Sequence, residues 1–330
     1  PASITAFMSV LSYCCFHKRD CNLVNNDVMA RENQTITPET LLAMVPWQHE
    51  KPVPLLKNVM RLTAPNPGMM TGPGTNSYII GTADTGYIVV DPGPNDATHV
   101  QRLFEATRGD IRMIVCTHSH SDHSPGAKPL QALCSSNRPS KPLICGLPSG
   151  EHASSNAYFL PDKSLQNKEQ IKLISRRLDA NLSTTMEVIF TPGHAENHVC
   201  LALIEDGLLL SGDHILNGST TVINPPDGHM GDYLDSLDQL SEVCQKYGIE
   251  QILPAHGYVL DQAEQVIAHL KAHRLKREEK IAGVMQAHPG GSLYEWVAKA
   301  YDDVSPQLWP VAKRSLLAHV EHIRSKENES

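Results

Sequence analysis

Residues 117–123 read Thr-His-Ser-His-Ser-Asp-His and put three imidazoles and a carboxylate, His118, His120, Asp122 and His123, into six positions. Neutral imidazole and carboxylate are donors that suit zinc, and also iron or manganese where carboxylates bridge. In extended backbone the side chains at i and i+2 point the same way, which aims His118 and His120 at one ion. Asp122 and His123 come after the chain has turned and face a second ion beside the first. The bland alternative is a polar loop whose histidines merely touch water, and three histidines and an aspartate in this register weigh against it.

Four residues in one loop cannot complete a two-metal site, so elements elsewhere must bring the remaining donors. Residues 111–116 form an apolar, β-branched run that reads as a buried strand ending at the cluster. The same arrangement returns three times. Thr191-Pro192-Gly193-His194 follows the strand candidate 186–190, Ser211-Gly212-Asp213-His214 follows 207–210, and Pro254-Ala255-His256-Gly257 follows 250–253. Each apolar run is followed at once by a His or Asp beside glycine, which lets backbone pass close to the ions without a side chain in the way.

His118-x-His120-x-Asp122-His123, followed by His194, Asp213 and His256, resembles the complete ligand set of the metallo-β-lactamase-fold hydrolases, in chain order. The resemblance implies that His118, His120 and His194 hold one metal, that Asp122, His123 and His256 hold the other, and that Asp213 bridges them. Two Zn2+ are the cofactors implied, with Mn or Fe as substitutes. Asp91, closing Ile88-Val89-Val90-Asp91-Pro92-Gly93, matches the aspartate that orients ligand histidines in that superfamily. The implied chemistry is hydrolysis by a metal-bridging hydroxide, since zinc lowers the pKa of bound water from roughly 15.7 to about 7. Asp122 is the candidate catalytic residue, orienting that water or relaying its proton.

With 330 residues, 41% hydrophobic and 19% charged, the chain can bury a large core. No apolar run reaches the roughly 20 residues that span a bilayer, so no membrane partner is expected. A net charge of -8 gives no general pull toward nucleic acid, so phosphate binding would have to be local. The eight cysteines lack zinc-finger spacing. Cys116, Cys134, Cys145, Cys200 and Cys244 read as buried free thiols, which fits a cytoplasmic protein, or one of the mitochondrial matrix if the source is eukaryotic.

Residues 1–28 read as an extension upstream of a natural beginning at Met29, with a targeting segment as the alternative, because residues 6–16 are mainly apolar. Thr37 and Pro38 suit the start of a short helix. Residues 72–81 form a glycine-rich turn feeding a strand, with Asn76 at the junction, and lack the lysine and helix of a phosphate loop. Residues 96–107 and 125–133 read as helices, and an amphipathic helix starts at Gly231. Residues 217–230, rich in glycine and proline, are expected as a long loop over the metal cleft that settles substrate choice. Asn76, His198, Asn217 and Tyr233 are the candidate substrate contacts. His198 either hydrogen-bonds substrate or packs, and His229 and Asp232 are rim residues. The fold class expected is α+β: the αββα sandwich of the resembled family at 29–260, with a small helical domain at 261–330.

That tail reads as a helix over 261–287, a second capped by Ser292, and a third from Pro306 to about residue 324. Three helices of these lengths resemble the winged-helix-like tail of the lactamase-like endoribonucleases known from mitochondria and their bacterial relatives. His273-Arg274-Leu275-Lys276-Arg277-Glu278 and residues 312–319 carry the likeness, which runs from about residue 59 to 323. Little chain follows Ile323 to form a wing. The basic residues at 273–280 read either as an RNA-guiding stripe or as a solvated face balanced by Glu278, Glu279 and Glu295. The resemblance implies a metal-dependent endoribonuclease acting on single-stranded RNA. A hydrolase of thioesters, lactones or β-lactams, and a metal-binding module without catalysis, are the two alternatives.

Overall fold

The structure is a computed structural model that describes residues 45–136, 141–153, 157–176 and 183–329. Residues 1–28, the helix start at Thr37, and Cys14, Cys15 and Cys21 lie outside the described residues. The described chain forms two compact units that divide between Ala272 and His273.

In the first unit, thirteen strands are described and form two sheets. One sheet carries β1 (Val53–Leu56), β2 (Val59–Thr63), β3 (Asn76–Thr82), β4 (Gly86–Val90), β5 (Ile111–Val115), β6 (Leu143–Gly146) and β7 (Lys163–Ser164), paired in chain order. The other runs β13 (Leu260–Asp261), β12 (Gln251–Pro254), β11 (Leu208–Gly212), β10 (Val199–Leu203), β9 (Ser183–Phe190) and β8 (Gln170–Ile174). Side chains alternate across each strand, so Tyr78, Ile80, Ile88, Val90 and Val115 meet Met186, Val188, Leu201 and Leu210 between the sheets. Their neighbours Ile79, Val89 and Ile114 point outward to Val100 and Leu103 of α1 (Ala97–Ala106) and Leu130 of α2 (Ala127–Ser135). Strands covered on both faces read as continuous apolar runs, as 88–90 and 111–116 do. Helix α3 (Met230–Tyr247) rests on the second sheet, its Tyr247 hydroxyl donating to Glu187 on β9 at 2.6 Å. The α+β sandwich expected from the sequence is the fold.

Helix α4 (Ala263–Ala287) is the long helix expected at 261–287. The second unit contains its later part together with α5 (Leu293–Ala300) and α6 (Trp309–Glu329). Ser292 caps α5 in a reciprocal pair with Glu295. Pro306 opens a 3-10 turn, Pro306–Leu308, and the α-helix begins at Trp309 and runs beyond residue 324. Among the described residues no strand follows β13, so the likeness to a winged helix extends to the helices alone.

The basic residues of α4 do not share one face: Lys276 is exposed and others turn inward. Arg274 and Arg277 are buried, and Arg277 grips Asp303 through two hydrogen bonds of 2.8 and 2.7 Å while its guanidinium lies over the Tyr301 ring. Lys280 pairs with Asp302. Glu278 is buried too and receives His319, His322 and Lys326 from α6 at 3.0, 2.8 and 3.2 Å. Burial alone would raise the Glu278 carboxyl, but the hydrogen bonds from His319 and His322 outweigh it and hold it down at about 2. A depressed carboxyl stabilises the fold above its unfolded pKa and loses that contribution as pH falls through the folded value. Glu278→Gln is expected to melt lower at neutral pH, by roughly 1–3 kcal/mol of stability. The gap to wild type should close between about pH 4.5 and 2, measured by circular dichroism melts across pH.

Candidate metal centre

The parallel pairs β4/β5 and β11/β12 end on the same edge of the sandwich, and every ligand candidate leaves a strand there. Asp91 follows β4, residues 117–123 follow β5, His194 follows β9, Asp213 follows β11 and His256 follows β12. Asn76, at the start of β3, joins the two sheets across this edge. Its backbone N–H donates to Ala255 at 2.7 Å, and its side-chain amide donates to Pro254 and Gly257 at 3.0 and 2.9 Å.

The side chains meet in three overlapping groups: His118, His120 and His194; His118, His123 and Asp213; Asp122, His123 and His256. Within each group the potential ligand atoms lie within 4.8 Å of one another. His118 Nε2 and His194 Nε2 each approach His120 Nδ1 to 3.0 Å. Asp213 reaches both sides, with Oδ2 3.4 Å from His194 and Oδ1 3.4 and 3.3 Å from His123 and His256.

The outer nitrogens fix what the inner ones are. His194 Nδ1 donates to Val222 O at 2.8 Å, His120 Nε2 to Asp227 at 3.2 Å, and His256 Nδ1 to Gly74 O at 3.2 Å. His123 Nδ1 donates to Asp91 Oδ2 at 2.9 Å. Thr117 gives its hydroxyl proton to Asp91 at 2.8 Å, so its oxygen accepts from His118 Nδ1 at 3.0 Å. Assigned from this network, five imidazoles turn their inner nitrogens, the ones facing away from these acceptors, into one small space. His123 Nε2 and Asp213 Oδ1 are buried there without a hydrogen bond. Lone pairs crowded together and left unsatisfied are costly, and divalent cations relieve both costs, so the residues present fit a metal centre.

The electrostatics divide the site. Burial, reinforced by His123 and His120, holds His118 far below the usual imidazole range, and burial with His120 takes His194 down to about 4. On the other side burial is outweighed by the carboxylates, which raise His256 to about 9 and His123 well above its ordinary value. Asp122 and Asp213 are held low in return: burial pushes both up, but His123 and His256 together outweigh it at Asp122, as His256 and His123 do at Asp213. A cation entering this side displaces protons from the histidines.

Asp91 sits in the left-handed region at φ +48 and spends both carboxylate oxygens on the site. It takes the Thr117 N–H at 2.7 Å, the Thr117 hydroxyl and His123. An aspartate tolerates that backbone better than most residues, and the strain marks a position that its surroundings over-determine.

Three of the four expected substrate contacts lie elsewhere. Asn76 is fully buried, and its oxygen accepts from Thr63 at 2.9 Å, so all its polar atoms serve the fold. His198 packs: its Nε2 accepts the Asp213 N–H at 3.1 Å and its Nδ1 meets Thr191 at 2.8 Å. Tyr233 is buried and its hydroxyl donates to His214 O at 3.0 Å. Asn217 alone is partly exposed, its oxygen accepting the Tyr258 N–H at 3.2 Å beside His256. His229 and Asp232 are exposed at the start of α3, where the His229 side chain caps the helix. Asp227 was not legible in the sequence: it lies 107 residues from His120, and an aspartate between prolines and glycine reads as ordinary turn chemistry.

The glycines beside the ligands make room for protein neighbours. Gly193 has φ +135, and a Cβ there would stand 2.4 Å from the Tyr233 Cα; one at Gly212, φ +51, would stand 2.5 Å from His198 Nε2.

Fold and site together define a protein that gathers divalent-metal donors at the edge of a two-sheet sandwich, as metal-dependent hydrolases do. Residues 70–256 match the family model described as metallo-beta-lactamase superfamily. The chain belongs to that superfamily, whose members are generally metal-dependent hydrolases. It is 30% identical over 276 residues to Beta-lactamase-like protein 2 homolog of Caenorhabditis elegans, covering 81% of this chain and 84% of that protein. The Drosophila melanogaster protein of the same name is 27% identical, covering 82% and 89%. Among solved structures, a beta-lactamase domain protein from Burkholderia ambifaria superposes with a TM-score of 0.66 at 19% identity, covering 86% of this chain and 90% of that one. A metallo-beta-lactamase family protein from Thermus thermophilus gives 0.63, also at 19% identity, covering 83% and 95%. Among the described residues no helix is long and apolar enough to cross a membrane.

Two outcomes check this account. Asp91→Asn is expected to weaken metal binding about 10–100-fold, read by competition with a chelator. Gly193→Ala is expected to cost about 1–3 kcal/mol of stability in denaturant unfolding, because the atoms that a Cβ would meet include the backbone of α3.

Proposed function

We propose that the chain is a two-metal hydrolase, zinc being the ion and manganese or iron the substitutes, whose substrate is single-stranded RNA. The observation that carries the two-metal reading is the position of Asp213, which approaches His194 with one oxygen and His123 and His256 with the other. In this reading His118, His120 and His194 hold one ion, Asp122, His123 and His256 the other, and Asp213 lies between them. Such a pair supplies Lewis acidity and an acidified water at neutral pH, and suits an in-line displacement at a phosphodiester because it steadies both attacking and leaving oxygens.

The chain's own groups set the rest. Asp122 stays ionised because the nearby His123 and His256 together outweigh the burial that opposes it. Its Oδ2 lies 3.3 Å from each of those nitrogens and 3.4 Å from the Thr75 hydroxyl. So held, the carboxylate orients the attacking water and receives its proton late in the reaction. Asp91 and Thr117 keep His123 and His118 in the tautomers that leave Nε2 free.

The RNA reading rests on the likeness of the whole layout, tail included, to the lactamase-like endoribonucleases. One observation favours hydrolysis of a small thioester, lactone or β-lactam instead: Arg277 and Lys280 of the tail are spent on Asp303 and Asp302. Labelled single-stranded RNA, a thioester panel and nitrocefin, each given to metal-loaded wild type and to Asp122→Asn, separate the readings. RNA cleavage that falls about 100-fold or more in the variant is the expected result. Turnover confined to acyl compounds supports the second reading, and equal behaviour of both proteins on every substrate leaves a metal-binding module without catalysis.

A further inference from the structure

The imidazoles of the first group are not supported by the sandwich alone. Two of their three outer nitrogens are held by one short segment of the loop between β11 and α3: His194 Nδ1 by Val222 O and His120 Nε2 by Asp227 Oδ2. Asp227 is largely buried, and its other oxygen accepts the Glu196 N–H at 3.1 Å, two residues from His194. The second group is supported otherwise. His123 is held by Asp91 at the end of β4, His256 by Gly74 O, and Asp122 by Thr75 beside the start of β3. Asp91 reaches both groups, since the Thr117 hydroxyl that it fixes also meets His118.

We infer that residues 222–227 form a clasp for one ion alone, with Asp227 as the positioning residue that holds His120 for it. This rests on the two-metal reading and deepens it. An imidazole whose far nitrogen has lost its acceptor turns more freely and presents either tautomer, so its affinity as a ligand falls. The loss belongs to the ion that His120 touches, and the site built on Asp122, His123 and His256 keeps all its supports. The dependence runs both ways: if the clasp tightens the ion, the ion must tighten the clasp by the same factor. Occupation of the histidine-rich position therefore secures the loop that the sequence places over the cleft, and one side of the substrate site is assembled by its own metal.

Metal-free Asp227→Ala, Asp227→Asn, Asp91→Asn and wild type are titrated with Zn2+ against a chromophoric chelator, and with Co2+ followed by its visible spectrum. Wild type is expected to bind two equivalents. Asp227→Ala should weaken one of them about 10–100-fold and leave the other unchanged. Asp227→Asn, which keeps an acceptor oxygen, should fall between, and Asp91→Asn should weaken both. Hydrogen exchange over residues 218–228 should slow on metal addition in wild type and much less in Asp227→Ala. Metal-free Asp227→Asn should melt with metal-free wild type, which separates loss of an ion from loss of the fold. Two equivalents of unchanged affinity in Asp227→Ala, or both weakened alike, overturn the clasp and leave the two-metal reading standing. Fewer than two equivalents in wild type overturns that reading itself.

Discussion

Five imidazoles aim their inner nitrogens into one small space, and each is held there from behind by an acceptor for the proton on its outer nitrogen. Thr117, Asp91, Asp227, Val222 O and Gly74 O supply those acceptors. Without them each ring turns and shares its proton with a neighbour, and the cluster becomes an ordinary hydrogen-bonded patch. With them the arrangement is unfavourable until positive charge enters. The carboxylates of Asp122 and Asp213 add to that demand, and His256 answers it by holding its own proton up to about 9.

The sandwich exists, for this purpose, to bring five separate chain ends to one edge. β4 lies parallel to β5 and β11 parallel to β12, so their last residues arrive side by side, and the turns that follow carry Asp91, residues 117–123, Asp213 and His256. Asn76 then ties β3 of one sheet to the end of β12 in the other, with three hydrogen bonds across a separation of about 180 residues in sequence. Each group of candidate ligands draws on both sheets, so the seam that Asn76 ties holds each group together.

The candidate ligands that the fold gathers were legible because they are local: each is a His or Asp at the abrupt end of an apolar run, and a reader needs only the run and the turn. Asp91 and the boundaries of α1, capped by Asp96, were legible for the same reason. Asn76, His198 and Tyr233 are not the substrate contacts that their places in the sequence suggest, because a polar residue near a ligand looks the same whether it faces the cleft or the core. Their partners, Pro254, Asp213 and His214, are fixed only by tertiary packing. Charge on α4 was equally silent about direction. Arg277 and Glu278 sit in a basic, polar stretch and still turn inward, because Asp303 arrives from the turn after α5 and His319 and His322 from α6, which the stretch itself does not announce.

The described cysteines, Cys116, Cys134, Cys145, Cys200 and Cys244, are all buried. Burial drives Cys145 up to about 11 and Cys200 and Cys244 to about 12, so these sulfurs remain neutral at cellular pH and are poor targets for electrophiles and peroxide. Alkylation of them would therefore time local opening of the first unit: Cys145 reports the space between the sheets, and Cys116 and Cys134 report the helix-covered face of the first sheet.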